Sequence, residues 1–526
     1  MKNKLNRTIL CIIDDLRSNQ LFNFIERGFL PNFKKLIDNG IYSKNCVTDF
    51  PSITYPTQVS IITGTYTGDY KNELCHGIPV YNWMGRDTSP PDLRNYGSNR
   101  LDIFKMNDDL GENCQTLFEM IDGGNKSSIT QFINRGTDYF FPENKLKLIL
   151  FYLYIRNSIN LSKTMARANN IVVNKLLDNF KNPKRYFNIK EPPICSIIWF
   201  MSPDVLLHKF GSDDKRYKLN LLHIDAVLGR LITELDNLGF LDETAIAITS
   251  DHGNYGAKRV GDLNNTLRAL KLKHYHPRRK VHGNINISEF GGVGFFYFKG
   301  KINACNSKIW NYPTLSELEN YGLKRINLTD ELFKIDGVEL LYYNDNYTYD
   351  NTNKVFLKRK LIDDERVIEG TLESKGSGKN MKTRYLLKND EDNDIFGYSK
   401  DEKASKLLNG KYYSMDEWLD ATYHLDYPLY PDLICRHFKN PRSADIILST
   451  NGNIIYNLVH GKKINNDLFQ HDIGKRESSI VPLIISGSED IPKKEIPFCK
   501  ITDIVPSLLA LLGKSSHKSV VGKSII

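Results

Sequence analysis

The sequence predicts an α/β protein built on a mostly parallel sheet, and three apolar runs carry that prediction. Thr8-Ile-Leu-Cys-Ile-Ile13 leads into Asp14, Ser196-Ile-Ile-Trp-Phe-Met201 leads into Asp204 and then His208, and Thr244-Ala-Ile-Ala-Ile-Thr249 leads into Ser250-Asp-His-Gly253. Each run is short, rich in β-branched residues and almost uncharged, as strands buried on both faces are. Between the second and third, Leu221, Leu222, Val227, Leu228, Leu231, Ile232 and Leu235 recur with helical spacing over Tyr217 to Gly239. That alternation of strand, helix and strand is what a parallel sheet requires. Ionisable residues at the carboxyl end of a buried strand are costly unless compensated, and in open α/β sheets ligands sit at that end. Three such strands, two with a histidine nearby, predict one shared hard-cation site.

At 526 residues the chain is long enough for a large core with a substantial insertion. Apolar content of 40% and charged content of 25% are ordinary for a soluble protein. A net charge of +9 over this length biases the surface mildly towards anionic partners, and no stable nucleic-acid complex is expected from it. The eight cysteines include no Cys-x-x-Cys pair and read as reduced residues of a cytoplasmic protein. Met1 to Arg7 is basic, but the apolar run after it ends in two aspartates, too soon for a signal peptide. The longest apolar stretch elsewhere, Leu148 to Ile155, is far below spanning length, so no membrane span is expected.

Taken in order, Asn19 to Asn39 has helical spacing broken by Gly28 and Pro31, with Gly40 expected as its cap. Residues 41–50 read as extended. Phe50-Pro-Ser-Ile-Thr-Tyr-Pro-Thr57 then turns into a helix, with Pro56 near its first position. Residues 140–182 predict one or two amphipathic helices. From about 301 to 440 the composition changes, with Tyr/Asn-rich turns (Tyr342 to Tyr349), a charged alternating stretch (Val355 to Ile362) and a polar glycine loop (Glu373 to Lys379). This reads as a smaller α+β insertion, or cap, between a core of residues 1–300 and its return over 441–526. The return is expected at Ala444 to Thr450, then Leu483 to Ser486, then a helix over Asp503 to Leu512 ending at Gly513.

Asp204 and His208, four apart, can converge on one side of a helical turn. With Asp251, His252 and a third element at His471-Asp472, they make a mixed oxygen and nitrogen set. Such a set suits Zn²⁺, Mn²⁺ or Fe²⁺ better than Ca²⁺ or Mg²⁺. Thr54 lies ahead of a helix, where free N–H groups and the dipole attract an anion, so its hydroxyl is a candidate nucleophile. Taken alone, its local sequence fits a simple capping threonine. Tyr55 beside it could stack on a base or simply pack. The basic run Lys271 to Lys280 reads as a solvated loop, and His274, His276 and His282 lack matching carboxylates.

Several motifs come together in one order: Ile13-Asp-Asp-Leu-Arg17, Phe50-Pro-Ser-Ile-Thr-Tyr-Pro56, Thr63-Gly-Thr-Tyr66 with His76-Gly-Ile78, Ser250-Asp-His-Gly253, and Asp503-Ile-Val-Pro-Ser-Leu-Leu509. In this the chain resembles the type I phosphodiesterase/nucleotide pyrophosphatase family of the alkaline phosphatase superfamily. The resemblance implies an alkaline-phosphatase-like three-layer α/β sandwich and two divalent metal ions, usually zinc. One metal would be held by Asp14, Asp251, His252 and the Thr54 oxygen, the other by Asp204, His208 and His471. Thr54 would attack phosphorus and form a phospho-threonine intermediate. Three departures stand out. The family usually has Asp-Gly where Asp14-Asp15 stands, and Asp15 reads either as a solvated neighbour or as an influence on metal preference. Its phosphate-binding Asn aligns near Tyr81, which makes Asn82 the candidate oxyanion donor. Its third histidine belongs to a His-Gly pair, so His460 rivals His471, the latter preferred for its interval to the strand from Val481.

The expected activity is hydrolysis of phosphodiester or phosphoanhydride bonds, with a nucleotide as the small-molecule substrate. A phosphomonoesterase, phosphonate hydrolase or phosphomutase shares the same core chemistry, and a non-catalytic polyanion-binding protein is the alternative from another class. Sulfatases are disfavoured, because Thr54-Tyr-Pro-Thr-Gln58 has neither the Cys/Ser nor the Arg of their Cys/Ser-x-Pro-x-Arg motif.

Overall fold

The computed structural model of the protein describes residues 5–97, 101–275, 283–301, 309–345, 353–361, 366–388 and 394–526. Its centre is a nine-stranded mixed sheet. In spatial order the strands are Lys494–Glu495, Ile41–Val47, Ile480–Gly487, Thr244–Thr249, Arg7–Ile13, Cys195–Phe200, Lys126–Ile129 and Tyr139–Phe141, with Cys499–Lys500 also pairing to Ile41–Val47. Only Ile480–Gly487 runs against both of its neighbours. The three runs singled out in the sequence are adjacent and parallel, Arg7–Ile13 lying in the middle.

Side-chain alternation divides two layers. Ile9, Cys11, Ile13, Ile198, Phe200, Ile246 and Ile248 face helices Ser18–Glu26, Pro31–Asp38, Leu161–Lys181 and Lys215–Asn237. Leu10, Ile12, Ile197, Trp199, Ala245 and Ala247 face the opposite way, towards Thr54–Thr63 and Ile504–Leu511. This is the helix–sheet–helix sandwich expected. Gly28 and Pro31 divide the early helical region as predicted. Its end is capped at Asn39 rather than Gly40. A Cβ at Gly40 would lie 2.2 Å from the Ile485 carbonyl oxygen, so close approach to the neighbouring strand calls for glycine there.

A second, antiparallel sheet of ten strands packs behind the Thr54–Thr63 side. Its order is Tyr413–Ser414, Lys382–Leu387, Val367–Lys375, Asn353–Lys360, Val338–Asn344, Ile446–Thr450, Val293–Phe298, Ile285–Phe290, Leu458–Val459 and Lys462–Lys463. Phe295, Tyr297, Leu340, Tyr342 and Ile447 join the main core, while Phe296, Phe298, Leu341, Tyr343 and Ile446 form a separate cluster on the other face. The sheet draws strands from both sides of residues 300 and 440. Ile446–Thr450, expected to rejoin the main sheet, pairs instead with Val338–Asn344 and Val293–Phe298. Tyr342 and Tyr343, expected in turns, are buried strand residues, while Tyr347 and Tyr349 lie outside the described residues. Glu373 to Lys375, expected to open a loop, still belong to a strand.

The hairpin Asn82–Gly85/Asp92–Asn95 is tied to this second sheet by a buried ion pair. Arg86 donates both terminal nitrogens to Asp445, at 2.8 and 2.6 Å, with both side chains only 1% exposed. Its guanidinium lies between the rings of Tyr297 and Tyr312. Removing one partner of such a pair strands a buried charge. Arg86→Ala is therefore expected to cost about 3–5 kcal/mol in urea unfolding, and a loss below 1 kcal/mol on the same exposed-pair scale would show that the pair is not buried in solution.

Candidate metal centre and nucleophile

Register places the site. Ile13 pairs with Phe200 and Ile12 with Thr249, so the three parallel strands end level with one another. Asp14, Asp204 and Asp251 therefore emerge at one edge of the sheet. Asp204 and His208 sit one turn apart on Ser202–Phe210, 3.2 Å from each other. His252 Nε2 is 3.3 Å from Asp14 Oδ1 and 3.9 Å from Asp251 Oδ1. His471 Nε2 lies 4.0 Å from Asp204 Oδ1, and its ring stacks on His252 at 3.7 Å. The ligand-type atoms of Asp204, His208 and His471 fall within 4.8 Å of one another, as do those of Asp14, Asp204 and His252. Asp204 is common to both groups.

The three imidazoles are oriented alike. Nδ1 of His208 donates to the Phe469 carbonyl at 2.8 Å, that of His252 to Gly253 at 3.1 Å, and that of His471 to Ser52 at 3.1 Å. Each bond assigns the proton to Nδ1 and turns Nε2 towards the carboxylates, the arrangement in which histidine ligates metals. Gly253 has its own geometric reason: a Cβ there would lie 2.2 Å from the Glu477 carbonyl oxygen.

Thr54 is the first residue of the Thr54–Thr63 helix, and Ile53 occupies the cap position without a side-chain bond. The capping role is thus excluded, and the hydroxyl instead lies 3.2 Å from His252 Nε2. With Nδ1 protonated, that bond runs from the threonine O–H to the imidazole. One turn along, Gln58 Nε2 donates to Asp251 Oδ2 at 2.6 Å, while Gln58 Oε1 accepts from Gln131 Nε2 at 2.7 Å. Trp199 Nε1 donates to Asp14 Oδ2 at 3.1 Å. Sequence reasoning missed both donors. Gln58 was within reach of it, since it stands four residues after Thr54 and so on the same helix face. The His76-Gly-Ile78 motif supports the helix from beneath: His76 Nε2 meets Ser60 Oγ at 3.0 Å, and Ser60 donates to Asp49 at 2.6 Å.

Asp15 is buried, which rules out the solvated reading. It adopts φ 57°, the left-handed backbone that glycine takes without strain. Asn254 Nδ2 donates to its Oδ1 at 2.8 Å. Burial, reinforced by neighbouring carboxylates, pushes Asp14 and Asp15 well above the usual carboxylate range. Asp251 is raised by burial to about 6, with Gln58 opposing. Burial also acts against charge on Asp204 and His208, but their mutual attraction outweighs it, holding Asp204 low and raising His208 to about 9. Burial lowers His252 to about 4 and His471 to about 3. Asp14 Oδ1, Asp15 Oδ2 and Asp204 Oδ1 are buried, and among the described residues nothing satisfies them beyond the imidazole Nε2 atoms of His252 beside Asp14 and His208 beside Asp204. Clustered carboxylates, orphaned oxygens and inward-facing Nε2 atoms fit divalent cations, whose charge would offset the burial cost.

Other candidates are engaged with partners of their own. Asn82 donates to Glu289 at 3.1 Å, and burial lifts that carboxyl to about 8. Asn82 Oδ1 is buried without a partner. His460 bonds the Arg94 carbonyl and Asn286. Asp472 accepts from Tyr255 and from the Gly292 and Val293 amides, a structural role. Tyr55 is buried and stacked on Tyr81 at 4.7 Å, so it packs and does not offer a free face to a base. His274 bonds Tyr275 and Ile287. His276 and His282, with most of the basic run, lie outside the described residues.

The model of the family described as type I phosphodiesterase / nucleotide pyrophosphatase matches residues 8–299. The chain belongs to this family. Among curated relatives, bis(5'-adenosyl)-triphosphatase ENPP4 of Homo sapiens is 25% identical over 249 residues, 47% of each chain. An uncharacterized pyrophosphatase/phosphodiesterase of Schizosaccharomyces pombe is 23% identical over 252 residues, 48% of this chain and 45% of that one. The chain spans about half the length of the curated relatives it matches. Among solved structures, murine ectonucleotide pyrophosphatase/phosphodiesterase 5, an inactive form in complex with AMP, superposes with TM-score 0.53 at 13% identity, covering 97% of this chain and 96% of that one. The human protein gives TM-score 0.54, also at 13% identity and with the same coverage. At that identity the likeness establishes the alkaline-phosphatase-like fold. The phosphodiesterase match ends close to the start of the region 301–440, where no family motif was found in the sequence.

Two measurements test this geometry. His471→Ala is expected to weaken zinc binding at least about tenfold, read as metal content after dialysis, while His460→Ala retains wild-type content; the reverse pattern would exchange the two histidines. Burial raises Asp49 to about 7 from 3.8, despite its bond from Ser60, so its stabilising contribution is complete below pH 3.8 and is lost as pH rises through about 7. Thermal melts should show the wild type losing stability relative to Asp49→Asn across that window; parallel pH profiles would contradict the assignment.

Proposed function

We propose that the protein is a metal-dependent hydrolase of nucleotide phosphodiester or phosphoanhydride bonds acting through a phospho-threonine at Thr54. The observation that carries this reading is the Thr54 hydroxyl, free of any capping role and 3.2 Å from His252 Nε2 at the edge of the carboxylate and histidine cluster. Asp14, Asp251 and His252, with the Thr54 oxygen, would hold one divalent cation, and Asp204, His208 and His471 the other; zinc suits this donor set, with Mn²⁺ or Fe²⁺ as alternatives. Such cations would acidify the hydroxyl and neutralise charge on the phosphoryl oxygens.

The remaining work falls to the chain. The start of the Thr54–Thr63 helix directs unpaired backbone N–H groups at a phosphoryl group. Gln58 and Trp199 fix the Asp251 and Asp14 carboxylates. In the first half-reaction Thr54 Oγ bonds to phosphorus as the bond to the leaving oxygen breaks. In the second, water attacks the same phosphorus, frees the phosphorylated product and restores the threonine hydroxyl. Asn82 could serve as an oxyanion donor only through the amide hydrogen that Glu289 leaves free. A nucleotide substrate is favoured by the family match and by relatives named for bis(5'-adenosyl)-triphosphate hydrolysis and for an AMP complex.

Hydrolysis of a p-nitrophenyl nucleotide ester should be abolished by chelator and restored by Zn²⁺. Thr54→Ala should lower kcat by about 10³-fold or more, with Thr54→Ser retaining part of the activity. Salt-sensitive binding of polyanions, indifferent to chelator and to Thr54→Ala, would instead support the non-catalytic reading. A panel including nucleotide monoesters, diesters and dinucleoside triphosphates separates this activity from phosphomonoesterase, phosphonate hydrolase and phosphomutase alternatives.

A further inference from the structure

The helix Lys145–Arg156, sequence KLKLILFYLYIR, is almost wholly apolar between its basic ends, yet Leu148 is its one buried residue. Leu146 is 65% exposed, Leu150 56% and Tyr154 45%. Leu153 lies on the same helix face, and Ile171 of the next helix lines a common cavity with Leu150. Scattered apolar side chains on a surface are ordinary, but a contiguous set on one helix marks a binding face. A packing helix would present one apolar stripe inward and polar residues outward; this one is apolar on its exposed face as well as on the side of Leu148, Phe151 and Ile155.

Two further observations choose the occupant. From residue 144 to 177 the chain carries six basic residues, Lys145, Lys147, Arg156, Lys163, Arg167 and Lys175, and no acidic one, with Lys147 paired to Glu143 just before that stretch. Apolar residues interleaved with lysine and arginine on a surface helix are the pattern of a helix lying in the plane of an anionic membrane. Beneath the helix lies a cavity of about 250 Å³ whose lining is apolar, including Phe132, Leu148, Phe151, Ile171 and Val172. Such a chamber suits an alkyl chain better than the side chains of a protein partner. Trp199, whose indole donates to Asp14, also lines it.

We infer that the Lys145–Arg156 helix is a membrane-interfacial element that docks the protein on an anionic lipid surface, with the apolar cavity opening towards the bilayer. The helix is far too short to span one, and no helix among the described residues is long and apolar enough to do so. Docked this way, the apolar residues enter the acyl boundary and the basic residues meet lipid phosphates.

The test is co-sedimentation of the full chain with vesicles of phosphatidylcholine alone or mixed with phosphatidylserine. Thr54→Ala protein serves throughout, so that binding is read independently of turnover and a failed hydrolase assignment leaves the result intact. Binding is expected to mixed vesicles only, to fall with added salt, and to weaken roughly fivefold for each of Lys145→Ala and Lys163→Ala. Leu150→Asp with Leu153→Asp, both at exposed positions, should abolish it while thermal unfolding is unchanged. Absence of binding by the folded wild type, or equal binding by the double aspartate variant, overturns the inference. So does a solution dimer that the double variant splits, which would assign the face to a second copy of the chain.

Discussion

Four carboxylates, those of Asp14, Asp15, Asp204 and Asp251, are packed with little access to water at one edge of a sheet. That crowding is the constraint on which the rest of the site depends. Like charges this close raise one another's cost of ionisation, and burial adds to it. Protonation relieves the cost in part, as the upward shifts of Asp14 and Asp15 show, and so does pairing, as between Asp204 and His208. A divalent cation relieves it more completely, because one ion offsets two charges and takes up the orphaned oxygens.

The surrounding elements are arranged to keep that crowding in place. Parallel pairing of three strands in level register brings residues almost 240 positions apart to one line. Backbone carbonyls at Phe469, Gly253 and Ser52 fix three imidazoles in one tautomer. The Thr54–Thr63 helix contributes twice, through the hydroxyl of its first residue and the Gln58 amide one turn later. Its underside is braced by the chain of bonds from His76 through Ser60 to Asp49. The tight motif spacing around Thr54 thus reflects one helix that presents both the Thr54 hydroxyl to His252 and the Gln58 amide to Asp251.

Much of this was legible in the sequence because it is local. Apolar runs ending in Asp14, Asp204 and Asp251 located the strands, and the four-residue interval from Asp204 to His208 located a helical face. The break at Gly28 and Pro31 was readable for the same reason; of the one or two amphipathic helices expected over 140–182, Leu161–Lys181 is one, while Lys145–Arg156 is apolar on its exposed face too and so not amphipathic. What escaped depends on contacts between distant segments. Trp199 and Asn254 have no local signature as donors to carboxylates, and Gln58 has only its place on the Thr54 face of the helix, which does not name Asp251 as its partner. The placement of Ile446–Thr450 in the second sheet is set by pairing with Val338–Asn344, which no apolar pattern encodes. For Asp15 the sequence left open a solvated neighbour or an influence on metal preference, and the first fails because its left-handed backbone accompanies a buried side chain bonded by Asn254.

The second sheet and the exposed Lys145–Arg156 helix lie on different sides of the same problem, which is what reaches the site and from where. The second sheet closes the Thr54–Thr63 side through Tyr342 and the buried Arg86–Asp445 pair. The helix covers an apolar chamber that Trp199 also lines. The central claim remains the cation-binding role of the carboxylate cluster, and anomalous diffraction at the zinc edge from crystals grown with Zn²⁺ tests it most directly. The account predicts two peaks, one among Asp14, Asp251 and His252 and one among Asp204, His208 and His471, with Thr54 Oγ beside the first. Ordered crystals with an unoccupied cluster, or with zinc bound only elsewhere, would contradict it.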